Sequence, residues 1–237
     1  MNYQVVIVAA GQGTRMGAEM NKVLLTLHGI PVIIYTLRVF EQDPDCTGVV
    51  LVIKESERKT FCELIRRYHI NKVTELAEGG RERQESVYNG LAKLGDSQET
   101  IVMVHDGARP FVTRNQIARV AEAADRCGAA LLAVRVKDTI KQVACHSVSK
   151  TLERESLWAA QTPQAFRMSV IMQAHREGRV RHFKVTDDAS LVEQLGQTVE
   201  VVEGSYRNIK LTTPEDMIIA EKFVQEEEKA DANRPRV

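Results

Sequence analysis

The chain has 237 residues, of which 43% are hydrophobic and 27% are charged, which are ordinary proportions for one globular domain. Lys+Arg and Asp+Glu are equal at 32 each, so the chain lacks the basic surplus that is typical of nucleic-acid-binding proteins. No apolar run approaches the roughly 20 residues of a membrane span, and the four cysteines have neither zinc nor disulfide spacing, so we expect a cytoplasmic protein that binds neither nucleic acid nor membrane.

Short β-branched runs alternate with helical patterns along most of the chain. The sequence predicts buried strands at 5–8, 49–53, 72–76, 101–104, 129–134 and 199–202. It predicts helices over 31–42, 57–68, 83–94, 114–127, 169–177, 187–195 and 214–228. This alternation predicts an α/β fold, a Rossmann-like and mostly parallel sheet with helices on both faces.

The alternation is interrupted between 137 and 155, where the residues are polar and favour β structure. We interpret this segment as a projecting β-arm that packs on a second subunit. Residues 1–228 then form a single domain, and the charged tail 229–237 is expected to be frayed.

A glycine-rich loop, AAGQGTRMG, spans Ala9–Gly17 directly after the first strand. Ligands bind beyond the carboxyl ends of strands in open α/β sheets, and glycines let backbone N–H groups approach phosphate oxygens. The dinucleotide fingerprint fails because Met16 stands where its third glycine is required. Arg15 and Lys22 add two cations that suit a phosphoryl transition state. The alternative is a connecting loop with two solvated cations.

Two further motifs follow predicted strands. VHDGARP contains Asp106, which can hold Mg²⁺ beside phosphates, and Arg109, which can bind phosphate. GGRERQES contains Gly80 and Ser86, which can read the edge of a base. Each motif has a competing interpretation. Asp106 could simply cap a helix, and GGRERQES could be a turn followed by a charged first helical turn.

Weaker candidates are spread over the second half of the chain. They are Thr139, Arg154, Thr162 in the segment QTPQ, Thr186 in the segment TDD, and Lys210 in the segment NIKLT. Each is ordinary when taken alone. Thr186, for example, is expected to be the N-cap of the helix that follows it, whether or not it binds a substrate.

As an ordered set, these segments resemble the 2-C-methyl-D-erythritol 4-phosphate cytidylyltransferases. The matching stretches are AAGQGTRMG with Lys22, GGRERQESV, VHDGARPF, LWAAQTPQAF, TDDAS and NIKLTTPEDM, which run from residue 9 to 217. The resemblance implies transfer of CMP from CTP to a sugar-alcohol phosphate, with Mg²⁺ on the triphosphate and release of pyrophosphate. It also implies a homodimer whose arm reaches the neighbouring subunit's site.

The resemblance further implies a role for individual residues. Arg15 and Lys22 match transition-state stabilisers, and Arg154 and Lys210 match residues that aim the attacking phosphate. The CTP-contacting positions are Ala9, Ala10, Gly11, Gly80 and Ser86. The positions around the metal or the sugar phosphate are Asp106, Arg109, Thr139, Thr162 and Thr186.

Three alternatives remain open from the sequence. A ribitol-5-phosphate cytidylyltransferase would share the glycine loop and the TPQ segment. An NAD-dependent dehydrogenase conflicts with Met16 and with the absence of an acidic residue directly at Ile53–Lys54. A non-catalytic nucleotide sensor has no need of the cations Arg15, Lys22 and Lys210.

Overall fold

A computed structural model describes residues 1–11, 21–95 and 99–232. Within these ranges the strands are β1 (Tyr3–Val8), β2 (Thr26–Leu27), β3 (Ile30–Pro31), β4 (Cys46–Ile53), β5 (Val73–Glu78), β6 (Ile101–Asp106), β7 (Ala129–Arg135), β8 (Lys141–Ala144), β9 (Ser147–Thr151), β10 (Trp158–Arg167) and β11 (Glu200–Glu203). The α-helices are α1 (Val32–Glu41), α2 (Arg58–Arg67), α3 (Arg83–Leu91), α4 (Arg114–Cys127), α5 (Met168–Val180), α6 (Asp188–Gln194) and α7 (Pro214–Ala232). Short 3₁₀ turns occupy Lys22–Leu24, Glu55–Glu57 and Arg154–Ser156.

Seven strands form one sheet in the order β5-β4-β1-β6-β10-β7-β11. All neighbouring pairs are parallel except those of β10, which runs antiparallel to both β6 and β7. The predicted Rossmann-like, mostly parallel sheet is therefore confirmed.

The sheet is buried on both faces because alternate residues of its central strands enter two different cores. Val5 and Ile7 pack with side chains of α1, α2 and α4 on one face. Val6 packs with α3, α5 and α6 on the other face. Each fully buried aliphatic side chain contributes roughly 1.5–3 kcal/mol, so this double burial fixes the sheet that carries the site.

Helix α4 has the bounds that the sequence predicts because both of its ends carry strong local signals. Thr113 and Gln116 form a reciprocal capping box at its start. Gly128 ends it in the left-handed region at φ 92°, a conformation that glycine adopts without steric cost.

Strand β10 was not predicted, and it lies inside the sheet. Its sequence combines Gln161, Thr162, Pro163 and Gln164, which is not the apolar pattern of a buried strand. The pairing with β7 shifts register between Ala160 and Gln164, and a bulge of this kind accommodates a proline inside a sheet.

The predicted β-arm is present as a hairpin, in which β8 and β9 pair antiparallel with every residue exposed. At the other end of the domain, α7 continues through Ala232, so the first four residues of the expected frayed tail 229–237 are helical instead. Residues 233–237 lie outside the described ranges. Among the residues described, no helix combines the length and apolar character needed to cross a membrane.

Strand register brings the predicted motifs to a single edge of the sheet. Val8 at the end of β1 lies opposite both Val52 of β4 and Asp106 at the end of β6. Ile53 at the end of β4 lies opposite Glu78 at the end of β5. The carboxyl ends of four parallel strands therefore form one row, where ligands bind in such sheets.

Candidate active site

A cleft of about 330 Å³ opens along this row of strand ends. It is lined by the predicted nucleotide-binding residues Ala9, Ala10, Gly11, Gly80 and Ser86. The predicted charged residues Lys22, Asp106 and Lys210 line the same cleft. Eight of the candidate residues, drawn from distant parts of the chain, thus meet in one place. Arg15 lies outside the described residues.

The glycine turn after β5 forms one wall of the cleft, and its glycines are required by close packing. A Cβ at Gly79 would lie 2.4 Å from the Ala10 Cβ, and one at Gly80 would lie 2.3 Å from the Glu85 Cβ. The Gly80 N–H donates to Ser86 Oγ at 3.0 Å, and Ser86 Oγ donates to the Glu82 carbonyl at 3.0 Å. Ser86 therefore shapes the turn that faces the cleft.

Asp106 is the buried anion at the centre of a group of cations. Its carboxylate lies 2.8 Å from Lys210 Nζ and 3.7 Å from the Nε atoms of both Arg83 and Arg109. Burial alone would raise the pKa of Asp106, but Lys210, Arg83 and Arg109 hold that pKa well below its ordinary value. Asp106 is consequently ionised at neutral pH.

A hydrogen-bonded chain behind Asp106 fixes its backbone. The Asp106 N–H donates to Thr162 Oγ1 at 3.0 Å, and Thr162 lies 3.1 Å from His105 Nδ1. His105 Nε2 lies 3.0 Å from the Arg109 carbonyl, which only accepts, so Nε2 carries the ring proton and Nδ1 accepts from the Thr162 hydroxyl. Burial lowers the pKa of His105 to about 4, so the ring is neutral and serves as a support.

Arg109 supports the site from behind and is not part of the cleft wall. Its Nη1 donates to the Asn208 carbonyl at 2.6 Å, and burial lowers its pKa. Asn208, which is fully buried, in turn donates to the Thr162 carbonyl at 2.9 Å. The sequence placed Asn208 in the weak candidate segment NIKLT but assigned it no role of its own.

Arg83 and Asp188 belong to the site but were not among the predicted residues. Arg83 lines the cleft beside Asp106, and its Nη1 pairs with Asp188 Oδ2 at 2.7 Å. Burial would lower the pKa of Arg83, but Asp188 and Asp106 raise it overall. Both residues lie within stretches that the resemblance includes, but nothing in the sequence indicates that they form a pair.

Three further candidates neither line this cleft nor have a recorded contact with Asp106. Thr139 and Arg154 are exposed on the arm, and Arg154 Nη1 donates to the Lys137 carbonyl at 2.9 Å. Thr186 is exposed beside α6. The prediction that Thr186 is the N-cap of α6 is wrong, because Asp187 holds that position and accepts from the Ser190 N–H at 3.1 Å. A carboxylate satisfies this donor and adds favourable charge at the helix start.

Asp106 is the candidate metal ligand in the cleft. In the described part of the chain, no group of three or more His, Cys, Asp or Glu side chains is arranged to hold a metal ion. A cation at Asp106 would therefore need most of its ligands from a bound substrate.

The fold and the cleft together define a nucleotidyltransferase. Its features are an open α/β sheet, a glycine wall at the strand ends, and lysine and arginine side chains around one ionised carboxylate. The chain belongs to the 2-C-methyl-D-erythritol 4-phosphate cytidylyltransferase family, whose model matches residues 3–226. This membership excludes the dehydrogenase and the sensor alternatives.

Relatives and solved structures agree with this assignment. The chain is 55% identical over 224 residues to the 2-C-methyl-D-erythritol 4-phosphate cytidylyltransferase of Geobacillus thermodenitrificans, covering 94% of this chain and 97% of the relative. It is 52% identical to the protein of the same name from Bacillus licheniformis, covering 97% and 98%. The crystal structure of 4-diphosphocytidyl-2C-methyl-D-erythritol synthase from Anaerococcus prevotii superposes with a TM-score of 0.82 at 30% identity, covering 94% of this chain and 96% of that one.

Proposed function

We propose that the cleft transfers CMP from CTP to 2-C-methyl-D-erythritol 4-phosphate and releases pyrophosphate. The observation that carries this proposal is the convergence of Lys22, Lys210 and Arg83 on one cleft beside the glycine turn. In the chemistry proposed, a phosphate oxygen of the alcohol phosphate bonds to the α-phosphorus of CTP. The bond between that phosphorus and the bridging oxygen to the β-phosphate breaks, and pyrophosphate takes the electron pair.

The reaction needs cations more than it needs a base. The attacking phosphate is already an anion, so no proton has to be removed before it attacks. The obstacle is repulsion between two anionic groups, which fixed positive charges reduce. Arg15 and Lys22 are proposed to stabilise the transition state, and Lys210 and Arg154 are proposed to aim the attacking phosphate.

The pairing of Lys210 with Asp106 suggests how the cleft is held before substrate arrives. Lys210 Nζ is 2.8 Å from the carboxylate, and the side chain is 38% exposed and lines the cleft, so it is accessible to a phosphate bound there. Asp106 meanwhile offsets the repulsion among the surrounding cations while no phosphate is bound.

We include Mg²⁺ as the cofactor, and the donor set fits it. Asp106 is ionised and lines the cleft, and Mg²⁺ is commonly held by one or two carboxylates together with substrate phosphates. Asp106 would thus be the protein ligand of the ion, and the triphosphate of CTP would supply further oxygen ligands. When bound, Mg²⁺ would neutralise part of the triphosphate charge.

A homodimer is part of the proposal because the arm carries Thr139 and Arg154 away from their own cleft. Val143 and Val148 pair across the hairpin and are 56% and 61% exposed. Packing of the hairpin on a second chain would bury both valines, which supports its assignment to the subunit interface. The arm would then deliver Arg154 to the second subunit's site.

We place the enzyme in the cytoplasm. All four cysteines are free thiols, three of them exposed, which suits a reducing compartment. CTP, the proposed donor, is also an intracellular metabolite.

The decisive experiment measures pyrophosphate release from CTP, ATP, GTP and UTP with each of two alcohol phosphates. We expect turnover with CTP and 2-C-methyl-D-erythritol 4-phosphate, and loss of that turnover when EDTA removes Mg²⁺. Faster release with ribitol 5-phosphate would replace the proposed acceptor, and a preference for another nucleotide would replace the proposed donor.

A further inference from the structure

Asn21 is a buried amide directly beside Lys22, and it belongs to no segment that the sequence analysis singled out. It is 2% exposed. Its Nδ2 donates to the Ala9 carbonyl at 2.7 Å and to Glu57 Oε2 at 2.8 Å. Its Oδ1 accepts from the Val23 N–H at 3.4 Å and so caps the 3₁₀ turn that begins at Lys22.

These contacts determine the orientation of the amide. Both groups facing Nδ2 only accept hydrogen bonds, and the group facing Oδ1 only donates. Exchanging the amide N and O would break all three contacts, so the side chain has a single satisfied orientation. A buried amide with every contact matched holds its neighbours rigidly.

The partner Ala9 is itself anchored in the central sheet. Its N–H donates to the Val52 carbonyl at 2.8 Å, and it is 1% exposed. Asn21 therefore ties the turn that carries Lys22 to the ends of β1 and β4. Through Glu57, it also ties this turn to the 3₁₀ turn that follows β4.

We propose that Asn21 is a positioning residue for Lys22 and acts mainly through its bond to the Ala9 carbonyl. The proposal rests on the proposed function, because it requires Lys22 to contact the reacting phosphates. Lysine has a long flexible side chain, so fixing its backbone removes one source of misplacement. Asn21 itself touches no substrate in this scheme.

A neutral substitution separates positioning from capping. Asn21→Ser keeps a good capping oxygen for the turn but removes the amide donors that reach Ala9 and Glu57. We expect kcat to fall by about 10- to 100-fold, since a misplacement of about 1 Å costs this much in an oriented reaction. We expect the Kd for CTP alone, measured by calorimetric titration, to stay within about threefold, because the glycine wall is untouched.

Asn89→Ser is the matched control. Asn89 Nδ2 donates to the Glu78 carbonyl at 2.9 Å near the same edge of the sheet, but Asn89 does not line the cleft. The Asn89 bond is exposed, whereas the Asn21 contacts are buried or partly buried. We therefore expect this variant to lose an amide hydrogen bond with a smaller fall in Tm, and to retain wild-type kcat. A fall in kcat for both variants in proportion to their lost stability would show a merely structural role and overturn the proposal.

A double-mutant comparison tests whether Asn21 acts through Lys22. Adding Asn21→Ser to Lys22→Ala should lower kcat no further, because the group to be positioned is already gone. The same fold-loss in both backgrounds would contradict the proposal. Should Asn21→Ser fail to fold, Asn21→Thr keeps a capping oxygen, fills more of the buried space and stays neutral beside Glu57, and the same comparison applies.

The outcomes also separate this inference from the proposed function. A near-normal kcat for Lys22→Ala would remove the cation assigned to the reaction, and the positioning role with it. Loss of activity in Lys22→Ala combined with normal kcat in Asn21→Ser would leave the proposed function intact and reject the positioning role alone.

Discussion

The cleft and the arm hold their candidate residues in opposite ways. In the cleft, Asp106 is buried, lies among three cations, and has its backbone fixed by Thr162. On the arm, Thr139 and Arg154 are exposed, and Arg154 donates a hydrogen bond to the Lys137 carbonyl of the arm's own backbone. The proposed nucleotide half of the site is thus preorganised within one chain, whereas the proposed acceptor half would depend on association of the arm with a second subunit.

This contrast follows from the chemistry that each half is proposed to perform. Fixed charges around a developing phosphoryl transition state are effective because they need no reorganisation during the reaction. A cation supplied from an arm depends on association between subunits. Substitutions in the cleft should therefore affect activity and stability within one chain, whereas substitutions on the arm should affect activity or assembly between chains. Four predictions test that difference.

The largest effect is expected in the cleft. Lys22→Ala should lower kcat by about three orders of magnitude, since it removes a charge that is proposed to stabilise the transition state. CTP should still bind, because the glycine wall remains. Steady-state pyrophosphate release and CTP titration measure the two quantities. The control is Lys93→Ala, because Lys93 is an exposed lysine outside the cleft. Equal kcat values for Lys22→Ala and Lys93→Ala would contradict the special role of the cleft cations.

The next effect is on the arm and is tested by mixing subunits. Arg154→Ala should lower activity by about 100-fold, with an unchanged Tm because the side chain is exposed. A 1:1 mixture of Arg154→Ala and Lys22→Ala chains should regain about a quarter of wild-type activity. Half of the dimers are then mixed, and each mixed dimer has one of its two sites intact.

The control for this mixture is each inactive variant mixed with itself under the same exchange conditions. No recovery in the mixed sample, despite verified subunit exchange, would mean that Arg154 serves its own chain. The proposal that the arm acts on the second subunit's cleft would then be wrong.

A smaller effect concerns stability and its dependence on pH. Asp106→Asn should lower the free energy of unfolding at pH 7 by about 3 kcal/mol, because it leaves buried cations without their anion. The pKa of Asp106 is lower folded than unfolded, so its contribution is complete above the unfolded value of about 4 and is lost as the pH falls through the folded value.

Urea unfolding of both proteins at pH 7 and pH 3 measures this difference. The difference in the free energy of unfolding between wild type and Asp106→Asn should be smaller at pH 3 than at pH 7. An equal difference in the free energy of unfolding at both pH values would show that the carboxylate charge does not stabilise the cleft.

The smallest effect concerns assembly alone. Val143→Ser combined with Val148→Ser should raise the dimer Kd by roughly 100-fold, at about 0.7 kcal/mol for each of the four valines in a dimer, because each valine is already partly buried in the single chain. The Tm of the dissociated chain should not change. Val180→Ser, at a residue that is 77% exposed on α5, is the control. Analytical ultracentrifugation measures the dimer Kd of each variant. The same Kd for the double valine variant and for Val180→Ser would show that the arm is not part of the dimer interface.

The elements that sequence patterns predicted well are those whose signals are local. Thr113, Gln116 and Gly128 mark both ends of α4 by short-range chemistry, so its bounds could be predicted. The apolar runs of β1, β4 and β6 similarly predict buried parallel strands. Strand β10 could not be predicted, because its polar residues and Pro163 are tolerated only through contacts with β6 and β7.

The candidate site divides in the same way. Glycines and cations after predicted strands indicated most of the cleft, because strand ends converge in such a fold. The pair Arg83–Asp188 spans 105 positions, and no local pattern predicts which two charges meet. Thr186 and Asp187 are both good caps by type, so the choice between them depends on the exact start of α6.

The reversed direction of β10 has a consequence for what this fold can tolerate. Trp158 at its start lies opposite Arg135 at the end of β7, so both attachments of the arm leave the sheet at the edge that holds the cleft. Insertions or deletions between these two anchor points leave the pairing of β7 and β10 unchanged. The length of the hairpin can thus change without altering the strand ends that line the cleft, which would let its proposed reach toward a second subunit vary separately from the cleft.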